Sequence, residues 1–286
     1  MSNSLPPSAS EISYINEIKA WRADREQKLR ANDGWITLCA LTWLNEGDNT
    51  VGSDELSDIV LPASSVPAQL GKIHFNAGVA TLIISSDTPV HVDGVVTRQA
   101  VLRSDENHQT PSYVTVGDVT FFVIKRGEHY GIRARDKNSP ELKAFGGCTW
   151  FDVNPNYRVT GKFTPHVPAR QLPVMTIVGI TEPTTNPGTV SFELEGQSFQ
   201  IEAFDGGKHS LFIVFRDATA GKSTYGSSRF LSAPIADDGT VALDFNKAFN
   251  PPCAFTVYAA CPLPLPSNIL ALPIKAGECY SGGIHE

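Results

Sequence analysis

Residues 190–204, VSFELEGQSFQIEAF, decide how the chain is read. Val190, Phe192 and Leu194 alternate with Ser191, Glu193 and Glu195. Successive side chains of a strand point to opposite faces, so a period of two marks a half-buried strand. FQIEAFDG (199–206) continues the alternation, and LFIVF (211–215) is apolar throughout, the pattern of a strand buried on both faces. Asn186-Pro187-Gly188, Asp205-Gly206-Gly207 and Asp238-Gly239 supply turn residues between these runs.

Towards the N-terminus the same signal recurs. WITLCALTWL (35–44), DIVLP (58–62), KIHF (72–75), VATLIIS (79–85), PVHVDG (89–94), YVTVGDVTFFVIKRG (113–127) and YGIRARD (130–136) are β-branched and aromatic runs closed by Gly, Pro, Asp or Asn. The segment 138–159, NSPELKAFGGCTWFDVNPNYRV, reads as a joint, with a second β series beginning near Tyr157. Ahead of all this, residues 1–8 read as an irregular lead. Ser8 and Glu11 have capping-box spacing before a helix running to about Ala31. Ile15, Ile18, Arg22, Arg25 and Leu29 fall near one face of it, with Trp21 beside them. Arg22 and Arg25 either snorkel to water or turn inward to hold an anion. The expectation is a mainly β protein of two sandwich- or barrel-like lobes with an N-terminal amphipathic helix. The lead and helix take 1–33, the first lobe 34–140, and the second lobe 141–286 with a proline-rich tail (NPPCAF, CPLPLPSN).

Composition narrows the function. The chain has 286 residues, 41% hydrophobic and 19% charged, with a formal charge of −7 and no basic stripe. Nucleic acid and anionic membranes therefore lack an electrostatic partner here. No apolar run approaches the ~20 residues of a membrane span, and the start lacks a secretory signal, so a cytoplasmic protein is expected. Five dispersed cysteines, Cys39, Cys148, Cys253, Cys261 and Cys279, argue for free thiols rather than a disulfide framework. Cys253 and Cys261 would stand ~26 Å apart on one extended strand. FTVYAA between them holds no turn residue, so a shared metal or disulfide is not expected.

AGKST (220–224) resembles the end of a phosphate-binding loop. Arg216 stands where the pattern requires glycine, and YGSSRFL follows where it requires a helix, so a hairpin turn is expected. His166, in the proline-framed TPHVPAR, is the histidine best placed for acid–base work. The densest chemistry lies between residues 216 and 278, where Asp217, Tyr225, Arg229, Asp244, Asn246, Asn250, Asn268, Lys275 and Glu278 sit among apolar, Gly and Pro residues. Buried charges need partners. These residues either lock the tail onto a sheet or form a polar pocket. In the pocket reading Asp217 and Glu278 serve as acid–base groups, and Arg229, Tyr225, Asn246 and Asn268 bind a small polar or anionic substrate. The sequence leaves the cofactor unknown, and no recognisable metal-ligand spacing is present.

The blocks WRADREQKLRANDGWITLCALTWLNEGDNTVGSD, YGIRARD, FRDATAGKSTYGSSRFL, LDFNKAFNPPCAFTVYAACPLPLPSN and IKAGE resemble the DUF1684 family, which has no assigned activity. The resemblance implies that Trp21, Arg22, Arg25, Asp217, Tyr225, Arg229, Asp244, Asn246, Asn250, Cys253, Cys261, Asn268 and Glu278 fall in family motifs, and that His166 does not. Residues 50–126 are similar in strand order to forkhead-associated (FHA) domains, sandwiches that bind phosphothreonine peptides. Gly52-Ser53 replaces that family's Gly-Arg pair, and Asp93 replaces the Asn of its turn. The resemblance thus implies a sandwich that has lost its phosphate-holding arginine. Two functions follow as expectations: an enzyme, such as a hydrolase, working in the C-terminal lobe, or a non-catalytic binding module using the FHA-like lobe.

Overall fold

The computed structural model describes residues 8–106 and 109–280, so the expected lead lies, Ser8 apart, outside the described residues. The described chain divides into two compact units. The N-terminal unit takes 29–145 and 255–259; the C-terminal unit takes 8–28, 146–254 and 260–280.

Helix α1 (Ala9–Arg30) begins at the capping box. The Ser8 N–H donates to Glu11 Oε2 at 2.7 Å, and the Glu11 N–H returns to Ser8 Oγ at 3.3 Å. That backbone bond holds the Glu11 carboxyl below its usual range. Tyr14 and Ile18 are buried, with Arg22 and Arg25 following at helical spacing. The inward stripe is therefore mixed, with Tyr14, Ile18 and Leu29 buried and two guanidinium side chains between Ile18 and Leu29.

The N-terminal unit holds β1 (Leu38–Trp43), β2 (Gly47–Gly52), β3 (Ile59–Val60), β4 (Gly71–Asn76), β5 (Val79–Ile84), β6 (His91–Val92), β7 (Val95–Val96), β8 (Gln99–Leu102), β9 (Val114–Val116), β10 (Val119–Arg126) and β11 (His129–Asp136). They form a sheet of order β1-β11-β10-β9-β6-β7 and a second of order β3-β2-β4-β5-β8. Val51, Ile73 and Leu82 from one sheet and Phe121, Val123 and Ile132 from the other share a core. Asp93-Gly94 turns the β6–β7 hairpin with φ of 50° and 83°. Helix α2 (Pro140–Ala144) follows, capped by Ser139 Oγ, which accepts from the Leu142 N–H.

The C-terminal unit holds β12 (Arg158–Met175), β13 (Thr181–Leu194), β14 (Gln197–Asp205), β15 (Ser210–Phe215), β16 (Arg229–Pro234) and β17 (Thr240–Asp244), in the order β16-β15-β14-β13-β12-β17. Val190, Phe192 and Leu194 are buried as their alternation predicts. Leu194 pairs with Gln197 across Glu195-Gly196, both at positive φ, a two-residue hairpin matched to strand twist. His166 corrects the sequence reading. It lies within β12 rather than in a loop, where the register with β13 breaks between Pro165 and Arg170. Prolines at 165 and 168 remove ladder donors, so the strand bulges there instead of ending. Beyond β17 the tail runs through short 3-10 turns and isolated bridges, including Trp150 to Glu278 and Arg216 to Ile269.

Candidate functional site

Asp217, just past β15, and Arg229, opening β16, meet at 2.6 Å with both side chains 1% exposed. Arg229 also donates to the Ile274 and Ala276 carbonyls of the tail. Asp217 Oδ1 accepts from Thr219 N–H, Thr219 Oγ1 and Ile274 N–H, so both carboxylate oxygens are taken. Burial lowers the Arg229 pKa and Asp217 opposes the shift. The pair clamps the tail onto the sheet.

Glu278 forms a second knot. Its Oε2 accepts from Arg25 Nε at 2.8 Å and from the Asn250 N–H at 3.1 Å, and its Oε1 from Asn250 Nδ2 at 3.1 Å. Gly277 precedes it at φ 82°, where a Cβ would come within 2.5 Å of Ala248 O. Glycine alone lets the tail approach that closely.

The remaining nominated residues lie apart from these two knots. Asn246 binds both backbone groups of Asn154 and the Tyr14 hydroxyl. Tyr14 in turn donates to Asp244 at 2.7 Å, and burial, then that bond, raises its pKa. Asn268 joins β14 to β15. Phe204 pairs with Phe212, and continuing that register would set Glu202 opposite Val214. There the Asn268 amide stands between them, bonding Glu202 N–H, Glu202 O and Val214 O. Tyr225 donates to Cys253 O at 3.0 Å and meets Tyr280 edge-on. His166 Nε2 faces Glu202 Oε2 at 3.7 Å, and neither atom has a hydrogen-bond partner.

In the C-terminal unit, Arg22 has spare capacity. It is turned inward on α1 and partly buried. Nη2 donates to Phe151 O at 3.0 Å, the guanidinium carbon lies 4.8 Å over the Trp150 ring, and Nε is buried without an acceptor. Arg229 Nε is unpaired too, but that side chain is sealed. Trp21 packs edge-on against Trp150 at 5.8 Å. Cys279, half-buried, is the first of the groups whose charge acts on Arg22, with Asp152 next. Burial lowers the Arg22 pKa and raises that of the Cys279 thiol. Arg22 and Trp21 were visible in the sequence. Trp150 and Phe151 were not singled out, because they reach the site only by pairing with the tail, where Phe151 N–H donates to Gly277 O and Cys279 N–H to Thr149 O.

Cys253 and Cys261 correct the expectation from spacing. Pro252–Ala254 form a 3-10 turn, and within FTVYAA, which has neither Gly nor Pro, the Thr256 hydroxyl accepts from the Tyr258 N–H in a second turn. Cys253 N–H consequently points at Cys261 Sγ, 3.2 Å away. AGKST forms successive turns leading into β16, as its flanks predict. An open trough of about 950 Å³ on β12–β14, lined by Lys162, Glu193, Gln200 and Asp238 among others, includes none of the nominated residues. Among the described residues no cluster of three or more His, Cys, Asp or Glu side chains could hold a metal. None of their helices is long and apolar enough to cross a membrane.

Residues 143–279 match the model of DUF1684, a protein of unknown function. The sequence blocks before residue 143 lie outside that match. An uncharacterised protein from gene locus rrnAC0354 of Haloarcula marismortui, solved by solution NMR, is 33% identical over 49% of this chain and 80% of its own, with a TM-score of 0.41. An FHA domain from work on phosphothreonine-dependent FHA interactions is 18% identical over 33% of this chain and 92% of its own, with a TM-score of 0.24. The FhaA FHA domain, also 18% identical, is covered over 97% with the same TM-score. So slight a likeness carries nothing about ligands. No curated protein matches the chain.

Proposed function

We propose, on the premise that this chain belongs to the DUF1684 family through residues 143–279, that its C-terminal unit binds a small organic anion at Arg22. One observation carries the proposal. Arg25 and Arg229 spend their guanidinium groups on Glu278 and Asp217, whereas Arg22 makes a single hydrogen bond among the described residues and stays partly open. A guanidinium recognises carboxylate or phosphate through paired N–H donors, and the flat face of Trp150 fixes its plane. Trp21 and Trp150 offer apolar walls to the organic part of the ligand.

In this reading Asp217, Glu278, Asn246 and Asn268 build the frame. Acid–base work by Asp217 or Glu278 would require a carboxylate to leave its arginine partner, which favours recognition over hydrolysis at those two residues. The test is a thermal-shift panel of small carboxylates and phosphates against the full chain. At least one member should raise the melting midpoint, and its affinity should fall about tenfold or more in Arg22→Gln, the worth of one charge-assisted hydrogen bond. A panel without a single shift, or undiminished affinity in a folded Arg22→Gln protein, would overturn the assignment.

A further inference from the structure

Cys253 and Cys261 are 6% and 4% exposed, and neither is in a disulfide. The 3-10 turn at 252–254 and the Thr256 turn bring them together, with Cys261 Sγ 3.2 Å from the backbone nitrogen of Cys253. A disulfide requires Cβ atoms about 3.5–4.5 Å apart, and the Cys261 sulfur already touches the Cys253 backbone, with neither cysteine in a strand that would have to unfold. We propose that Cys253 and Cys261 form a reversible redox pair, oxidised by a peroxide small enough to enter where water enters, which staples the turn 254–260 shut.

The environment separates this pair from the other thiols. Burial raises the pKa of Cys39, to about 12, and also raises those of Cys148 and Cys279. Cys253 goes the other way, because the Cys261 thiol hydrogen-bonds to it and Tyr225 adds a second bond. Burial keeps the Tyr225 hydroxyl protonated, and it remains a donor, holding Cys253 O at 3.0 Å. Thiolate character governs which cysteine is oxidised first.

The chemistry balances. The Cys253 thiolate attacks one oxygen of hydrogen peroxide, the O–O bond breaks, and the departing hydroxide takes a proton to leave as water. Cys253 is then a sulfenic acid. The Cys261 thiol attacks that sulfur, its proton leaves with the displaced hydroxide, and a second water departs. Two electrons pass from the two thiols to the peroxide, and a reducing thiol returns the pair to its starting state.

The full-length chain should be treated with dilute hydrogen peroxide, its fold followed by circular dichroism, then alkylated and mapped by peptide mass. The expected product carries a Cys253–Cys261 cross-link, weighs about 2 Da less than the reduced protein, and reverts with dithiothreitol. Cys261→Ser should lose the cross-link and leave Cys253 to be trapped as sulfenic acid by dimedone. Peptides showing both cysteines still alkylatable in the folded, treated wild-type protein, or a link from either to Cys148 or Cys279, would overturn the proposal. Neither result depends on Arg22.

Discussion

The C-terminal unit seals Arg229 and Asp217 at 1% exposure each, whereas the N-terminal unit leaves Lys72 and Asp48 at 42% and 48%. Both pairs are close, at 2.6 and 2.7 Å, so distance does not distinguish them. Surroundings do. A sealed ion pair has lost its water, and Asp217 replaces that water with bonds from Thr219 and Ile274. The exposed pair keeps its water and is screened by salt. The lesson is that the buried charge of the C-terminal unit is architecture, and that a side chain there with unspent donors, as at Arg22, stands out against it.

The largest effect should come from breaking the sealed pair. Arg229→Met leaves Asp217 buried without its cation and should cost about 3–5 kcal/mol in chemical denaturation. Adding Asp217→Leu to it should recover part of that loss, because the uncompensated charge goes as well. If the single variant melts like the parent, the clamp on the tail is not what holds it.

An intermediate effect is expected at Asn268. Asn268→Ala strands the Glu202 N–H and the Glu202 and Val214 carbonyls, a loss of about 1–3 kcal/mol. Amide exchange at Glu202 should quicken while that at Phe199, in the β13–β14 ladder, stays slow. Unchanged exchange at Glu202 would show that β14 and β15 do not need the bridge.

The smallest effect belongs to the surface pair. Lys72→Ala should leave the melting midpoint at neutral pH within measurement error. Asp48 is held below the usual carboxylate range by Lys72 first and His74 second. Whatever it contributes is present above about pH 4 and is lost as the pH falls through its folded-state value. A large midpoint shift at neutral pH would erase the contrast between the two units.

How much was legible follows from the range of the interactions. Strand alternation is local, so Val190, Phe192 and Leu194 announced their burial. The capping box at Ser8 and Glu11 is local as well. The residues of the buried network were legible as polar groups in apolar company, but their partners were not. Arg25 finds Glu278 across almost the whole sequence, and no pattern in a single chain encodes that pairing. The misreadings share a cause. TPHVPAR looked like a loop because prolines break ladders, yet a long hairpin absorbed them as a bulge. FTVYAA looked extended because it lacks Gly and Pro, yet the Thr256 hydroxyl and a 3-10 turn reversed it.

The central claim is that Arg22, unlike the salt-bridged Arg25 and the sealed Arg229, has donors open to a guest. The most direct test follows the side-chain Nε–H resonances of the ¹⁵N-labelled chain while the anion selected by thermal shift is added, with Arg22 assigned by its loss in Arg22→Lys. The account predicts that the Arg22 signal moves and saturates while those of Arg25 and Arg229 stay in place. An unmoved Arg22 beside a shifting Arg25 or Arg229 would contradict it.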